Sequence, residues 1–249
     1  LSMKNELIRN TTKSTQMNLN IDKIYCCHHP SESLKARKVE LSKFFENNEL
    51  DVEWVEGFPP EEAKKYDHDA LLYNVMTKGP ENCRDNKKKA IELTYRSMSL
   101  ILKHNYCYEQ AAEKGYENIL ILEDDVDLTS VFSEEYFNKC MKEFLDLKLE
   151  MLFLGSCCDL HYPITSPDKY VYHHEGLTTR CTHCYVVNIH AVPRLLNWTY
   201  QMLDSVDWQL NIAIIKERIK TGWAEPSIDQ MDYGSTLNHE GDGKEQLIT

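Results

Sequence analysis

Ile119-Leu120-Ile121-Leu122-Glu123-Asp124-Asp125-Val126-Asp127 is an apolar run that ends abruptly in carboxylates. Four apolar residues of this kind predict a buried strand, and in open α/β sheets ligands sit just beyond the carboxyl ends of such strands. Crowded carboxylates repel one another, so Glu123, Asp124, Asp125 and Asp127 are costly to hold together unless a cation neutralises them. Hard oxygen ligands favour Mn²⁺ or Mg²⁺, which bind through one or two protein carboxylates plus substrate phosphates. The stretch therefore points to a metal and diphosphate site. Its competing reading is an acidic turn or helix cap.

Working outward, Ile24-Tyr25-Cys26-Cys27 predicts a first strand, and Ser31 or Ser33 could cap a helix carrying Leu34, Leu41, Phe44 and Phe45. Val52–Val55 alternates as a second strand. Residues 61–89 are highly charged and read as a loop or lid, with Lys87-Lys88-Lys89 as a solvated helix start. A long helix follows over Ile91–Glu113, apolar on two faces, and its His104 is either a satisfied core residue or part of the site. Phe137, Cys140, Met141, Phe144 and Leu145 recur at helical spacing. Met151–Gly155 and Thr182–Val187 predict strands, residues 156–180 a loop, and Ala191–Leu203 a helix with Pro193 in its first turn. Asp207 could cap a last helix ended by Gly222.

The pattern is α/β: a Rossmann-like mixed sheet flanked by helices. Residues 1–20 are expected to be a flexible leader, 21–240 one catalytic domain and 241–249 a polar tail. With 42% hydrophobic and 27% charged residues among 249, the composition is that of a globular protein, and no stretch suits a membrane span. The net charge of −12 argues against nucleic acid as a partner. The nine cysteines are odd in number and form no compact disulfide framework. Buried reduced thiols are the default expectation and favour the cytoplasm, with the secretory lumen as the alternative if a leader preceded this segment. Cys181-Thr182-His183-Cys184 has the spacing of a zinc half-site without a visible second half.

Several blocks, in order, resemble glycosyltransferase family 25, which includes lipooligosaccharide and collagen galactosyltransferases. Leu122-Glu123-Asp124-Asp125-Val126 is similar to the family's Leu-Glu-Asp-Asp-Val, and Leu102-Lys103-His104 to its Leu-Ser-His. Leu152–Gly155 resembles the strand before its acceptor region. Cys184–Val187 with Ala191 and Leu195-Leu196 resembles its Gly-Tyr-Val-Ile-Ser and Gly-Ala-x-x-Leu-Leu blocks. Ser205-Val206-Asp207 is similar to Pro-Val-Asp, and Pro226–Gln230 with Ser235-Thr236-Leu237 to the family's ending. Two features depart: Cys26-Cys27-His28-His29 replaces the opening Ile-Asn-Leu and its arginines, of which Arg37 alone has a counterpart, and Arg96–Ser99 replaces a glycine-rich turn.

The resemblance implies a GT-A fold, a divalent cation (Mn²⁺ or Mg²⁺), a UDP-sugar donor and inversion at the anomeric carbon. Galactose or glucose would pass to a hydroxyl of a glycan or protein acceptor. A catalytically inactive, glycosyltransferase-like binding protein is the alternative, and a homo-oligomer is compatible with either. In this scheme Asp125 holds the metal, with Asp127 or His239 as further ligands, while Glu123, Asp124, His104 and Arg180 serve the donor. Asp207 is the expected base, competing with a plain N-cap role, and Glu225 and Asp229 stand in reserve.

Overall fold

The computed structural model describes residues 17–63, 65, 95–156, 160–175 and 178–231. Its centre is a seven-stranded mixed sheet in the order β2-β1-β3-β6-β4-β7-β5. The strands are β1 (Lys23–Cys27), β2 (Val52–Val55), β3 (Asn118–Glu123), β4 (Met151–Gly155), β5 (Val171–His174), β6 (Cys184–Asn188) and β7 (Thr221–Ile228). β1, β2 and β3 run parallel, as do β4 and β7, while β6 is antiparallel to both its neighbours and β5 to β7. The quoted apolar run is β3, buried through Leu122. A strand lined on both faces needs no alternation, which is why it reads as a continuous apolar stretch.

Two hydrophobic layers sandwich the sheet. On one face Tyr25, Ile119, Ile121, Phe153, Tyr185 and Trp223 pack against α3 (Tyr95–Lys114), α5 (Val192–Thr199) and α6 (Val206–Glu217). On the other, Leu120, Leu122, Leu152 and Val186 meet α1 (Lys35–Asn47) and α4 (Glu134–Asp146). The short helix α2 (Pro60–Ala63) packs beside α3. In α4, Ser133 caps Tyr136 N at 3.2 Å and Glu134 and Glu135 sit in the first turn, where the helix dipole favours acids. Its Phe137, Cys140, Met141 and Phe144 are the buried stripe.

α3 is buried on both faces through its middle, where Ile101, Leu102, Lys103, His104 and Asn105 are all inside, and only toward its end does it surface, with Ala112 exposed. Several expectations change. The proposed start of this helix at Ile91, the bulk of the 61–89 lid, Lys87–Lys89, Ser235–Leu237 and His239 lie outside the described residues. α6 ends at Glu217 with Arg218 left-handed at φ 51°, and Gly222 lies within β7. A Cβ at Gly222 would come 2.5 Å from Leu149 Cδ1, so the glycine permits close packing there and does not stop a helix. The edge strand β5 and its neighbour β7 escaped the periodicity because their polar residues meet partners inside the fold. Part of the presumed leader is already attached: Met17 N–H donates to Asn48 O at 3.0 Å, and Asn138 holds Asn18 O and Asn20 N, each at 2.9 Å. Cys181 is disulfide-bonded, not the reduced thiol expected. Cys184 is a buried free thiol on β6, so this pair forms no zinc half-site.

Gly155 ends β4 where the imidazole of His183 crosses it, and a Cβ there would lie 2.2 Å from Nε2. Since the ring is fully buried and has nowhere to go, Gly155→Ala is expected to cost about 1–3 kcal/mol as an overpacking substitution. Urea unfolding at unchanged m-value is the measurement.

Candidate active site

The chain leaves β1 toward β2 on one side and returns to β3 on the other, so the crevice beyond Cys27 and Glu123 is the topological switch point of the sheet. His28 and Asp124 are the first residues past the two strand ends, and they join across the crevice. His28 donates from Nδ1 to Asp124 Oδ2 at 2.7 Å, and Arg37 Nη1 of α1 donates to Asp124 Oδ1 at 3.0 Å. All three are buried. Asp124 was expected to serve the donor, but each of its oxygens is bound from within the protein. The same Arg37 Nη1 lies 3.7 Å from Asp125 Oδ2.

Glu123 points to the opposite face, where α3 supplies His104. Glu123 Oε1 lies 3.2 Å from His104 Nε2, within ion-pair range although the N–H is not aligned on it. His104 Nδ1 shares a 2.6 Å hydrogen bond with Tyr185 Oη, which shares another of 2.6 Å with Tyr108 Oη. Burial disfavours the imidazolium, yet Cys27 and the Glu123 carboxylate outweigh it and raise the His104 pKa. Burial likewise opposes the Glu123 charge, and His104 more than compensates, lowering its pKa. Each charge thus favours the other, and His104 braces the acidic end of β3.

Asp125 is different. Burial, then Glu123 and Asp124, push its carboxyl up to about 7, and Oδ1 has no hydrogen-bond partner. Residues 229–231 run beside it: Met231 N–H donates to Asp125 O at 2.6 Å, Asp127 N–H to Asp229 O at 2.9 Å, and Gln230 Nε2 reaches Asp125 Oδ2 at 3.4 Å. This antiparallel bridge brings the exposed Asp229 alongside Asp125 and Asp127, a neighbourhood that spacing along the chain could not reveal. Asp127 Oδ1 accepts from Thr129 N and Oγ1 at 2.8 and 2.6 Å. That turn occupies one of its oxygens.

Glu225 and Arg180 form a separate buried pair at 3.1 Å. Glu225 also accepts from Tyr162 N at 2.9 Å, while Arg180 donates to Ala224 O at 3.0 Å and lies 5.0 Å over the Trp223 ring. With Glu225 only 4% exposed, it is the counter-ion of Arg180 rather than a free base. Asp207 lies in the first turn of α6, and the N-cap is Ser205, whose Oγ donates to Asp207 Oδ1 at 2.5 Å. One turn further along the same face, Asn211 Oδ1 accepts from Thr179 N at 2.5 Å. That bond draws the start of α6 toward the 179–183 segment, which leads into β6 beside Glu123. Glu123 N–H in turn donates to His183 O at 2.9 Å.

Buried polar atoms without partners are rare in native folds and mark places where something else is bound. Here they gather at this end of the sheet: His29 Nδ1, Asp125 Oδ1, Arg180 Nε and His183 Nδ1, beside His104 Nε2 and Glu123 Oε1, which face each other without an aligned hydrogen bond. Among the described residues no three His, Cys, Asp or Glu side chains converge as a metal cage. The orphaned oxygen and raised pKa of Asp125 nevertheless fit a cation held by one or two carboxylates, with a diphosphate completing its shell. Sequence reasoning did not single out His183, which has no motif of its own; its signal is the glycine beneath it.

The profile of glycosyltransferase family 25 (LPS biosynthesis protein) matches residues 32–209. The chain belongs to glycosyltransferase family 25. It is accordingly a glycosyltransferase, and the matched region contains β3 with its acidic end, His104, Arg180 and Asp207. No curated protein sequence gives a significant match. Among solved structures, a glycosyltransferase involved in the glycosylation of the major capsid of PBCV-1 aligns at 14% identity, over 86% of this chain and 93% of that one, with a TM-score of 0.42.

Two outcomes follow from this electrostatic arrangement. Removing one partner of a buried ion pair strands the other, so Arg37→Leu should destabilise the fold by about 3–5 kcal/mol, read by urea unfolding. Asp125 behaves oppositely. Its folded pKa is raised, so the stability it contributes is full below about 4, the ordinary carboxylate range, and is lost as pH rises through about 7. In chelator, Asp125→Asn should therefore melt higher than the wild type at pH 8, and the difference should vanish near pH 4.

Proposed function

We propose that this glycosyltransferase moves a hexose, galactose or glucose, from a UDP-sugar to a hydroxyl of a glycan or protein acceptor, with inversion and with the help of Mn²⁺ or Mg²⁺. The observation that carries the reading is Asp125: a buried carboxylate crowded by two others, with an unpartnered oxygen, at the switch point of the sheet. Asp125 would hold the cation, with the remaining oxygen of Asp127 or the adjacent Asp229 as further ligands. Such a cation supplies charge neutralisation to the departing diphosphate.

The chain's own residues account for the rest. Asp124 locks the loop to Arg37 and His28, and His104 fixes Glu123, so the acidic end is preorganised before the donor arrives. Inversion requires a base on the face away from the leaving group, and Asp207 suits it. Ser205 occupies Oδ1, which leaves Oδ2 to receive a proton. As the acceptor oxygen forms its bond to the anomeric carbon, the bond to the diphosphate oxygen breaks and the hydroxyl proton passes to Asp207. Glu225, bound to Arg180, is not assigned this step. The disulfide at Cys181 supports an oxidising compartment rather than the cytoplasm; no helix among the described residues is long and apolar enough to cross a membrane.

Transfer and hydrolysis assays with UDP-galactose and UDP-glucose, with and without Mn²⁺, test the reading. Asp207→Asn should lower kcat by about 10²–10⁴ while UDP binding persists. Asp125→Ala should abolish the Mn²⁺ dependence of UDP binding. Binding of UDP-sugars without turnover on any acceptor or water would favour the inactive binding protein instead, and no binding at all would sink both.

A further inference from the structure

His183 is fully buried immediately before β6, on the face of the sheet that carries Glu123 and Tyr185. One ring nitrogen is satisfied and the other is not. Nε2 donates to Ile228 O at 3.0 Å, while Nδ1 has no partner. Burial holds this imidazole below its usual pKa, so the ring is neutral and Nδ1 carries a lone pair. Leaving an acceptor of this kind buried and unmade costs free energy, and the fold goes to some length to keep the ring there. Gly155 is the means: no other residue would leave room for the imidazole against β4.

The position is a junction. Backbone pairing sets His183 directly opposite Glu123, and the segment preceding it is drawn to α6 through Thr179 and Asn211, one turn from Asp207. The segment that carries the imidazole thus links the acidic end of β3 to α6, the helix that bears the proposed base. What a neutral, buried acceptor lacks is an uncharged hydrogen-bond donor, and the hydroxyl is the group a sugar presents most often.

We infer that His183 Nδ1 accepts a hydrogen bond from a hydroxyl of the transferred sugar and so contributes to the choice of donor. This rests on the UDP-sugar reading given above. Gly155 is then part of the same device, since it seats the ring.

The two amides that mimic each end of the imidazole separate this role from a structural one. His183→Gln can keep the bond to Ile228 O but offers no acceptor at the δ position, whereas His183→Asn keeps a δ-position amide oxygen and loses the Ile228 bond. Titration calorimetry in Mn²⁺ would compare UDP, UDP-galactose and UDP-glucose. For His183→Gln, UDP affinity should stay within about twofold of wild type, and affinity for the preferred UDP-sugar should fall about tenfold, the size expected for one lost hydrogen bond. His183→Asn should recover part of that loss. Wild-type binding of His183→Gln to the UDP-sugar, or an equal fall for UDP and UDP-sugar, would overturn the assignment. Should both variants fail to fold, monodeoxy UDP-sugars on the wild type decide: one deoxy position must cost about tenfold, and if none does the assignment fails. A wild-type protein that binds no nucleotide at all would instead overturn the UDP-sugar reading and this inference with it.

Discussion

Everything at the carboxyl end of the sheet depends on the clamp that Arg37 and His28 place on Asp124. Three acids in a row cannot share one strand end without relief, because each raises the free energy of its neighbours' charge. The clamp relieves the middle one completely, with two short hydrogen bonds from buried donors. It also ties α1, the end of β1 and the end of β3 into one unit across the switch-point crevice. His104 performs the equivalent task for Glu123 from the opposite layer. The residual repulsion is concentrated on Asp125, whose carboxyl is pushed up to about 7.

That concentration connects stability to function. A fold selected only for stability would neutralise all three carboxylates or replace one, since an unpartnered buried oxygen is a net cost. Here Asp124 is held by Arg37 and His28 and Glu123 by His104, while Asp125 has for counter-charge only Arg37 at 3.7 Å and keeps an unpartnered oxygen. The same logic extends across this end of the sheet to His183, where a glycine is used to seat an imidazole whose outer nitrogen has nothing to bind. Strain and unmet hydrogen bonds cluster where ligands are held, and the neighbouring layers, densely packed around Phe137, Tyr185 and Phe153, supply the stability that tolerates them.

Much of the candidate site was legible in the sequence, but not its division of labour. The acidic end of β3 stood out because an uninterrupted apolar run must be buried, and acids placed directly after it must lie at the rim of the core. Which acid is used structurally was invisible, since Arg37 lies 87 residues away and His28 96 residues away along the chain. Glu225 stood in reserve to Asp207 as a base until its pairing with Arg180 was seen. Asp229 was a reserve base and is a neighbour of Asp125 through an antiparallel bridge. His183 carried no motif at all.

The sequence by itself determined the α/β class, the central strand, the helical layers with their apolar stripes, and the family to which the chain belongs. These follow from local periodicity and ordered short blocks, which are properties of neighbouring residues. Tertiary structure alone decided the reversed strand at the centre of the sheet, the edge strand β5 and its neighbour β7, the disulfide at Cys181, and the partner of every buried charge. Those depend on which distant side chains meet in a low-dielectric interior, where an ion pair or a single unmet oxygen outweighs any local preference.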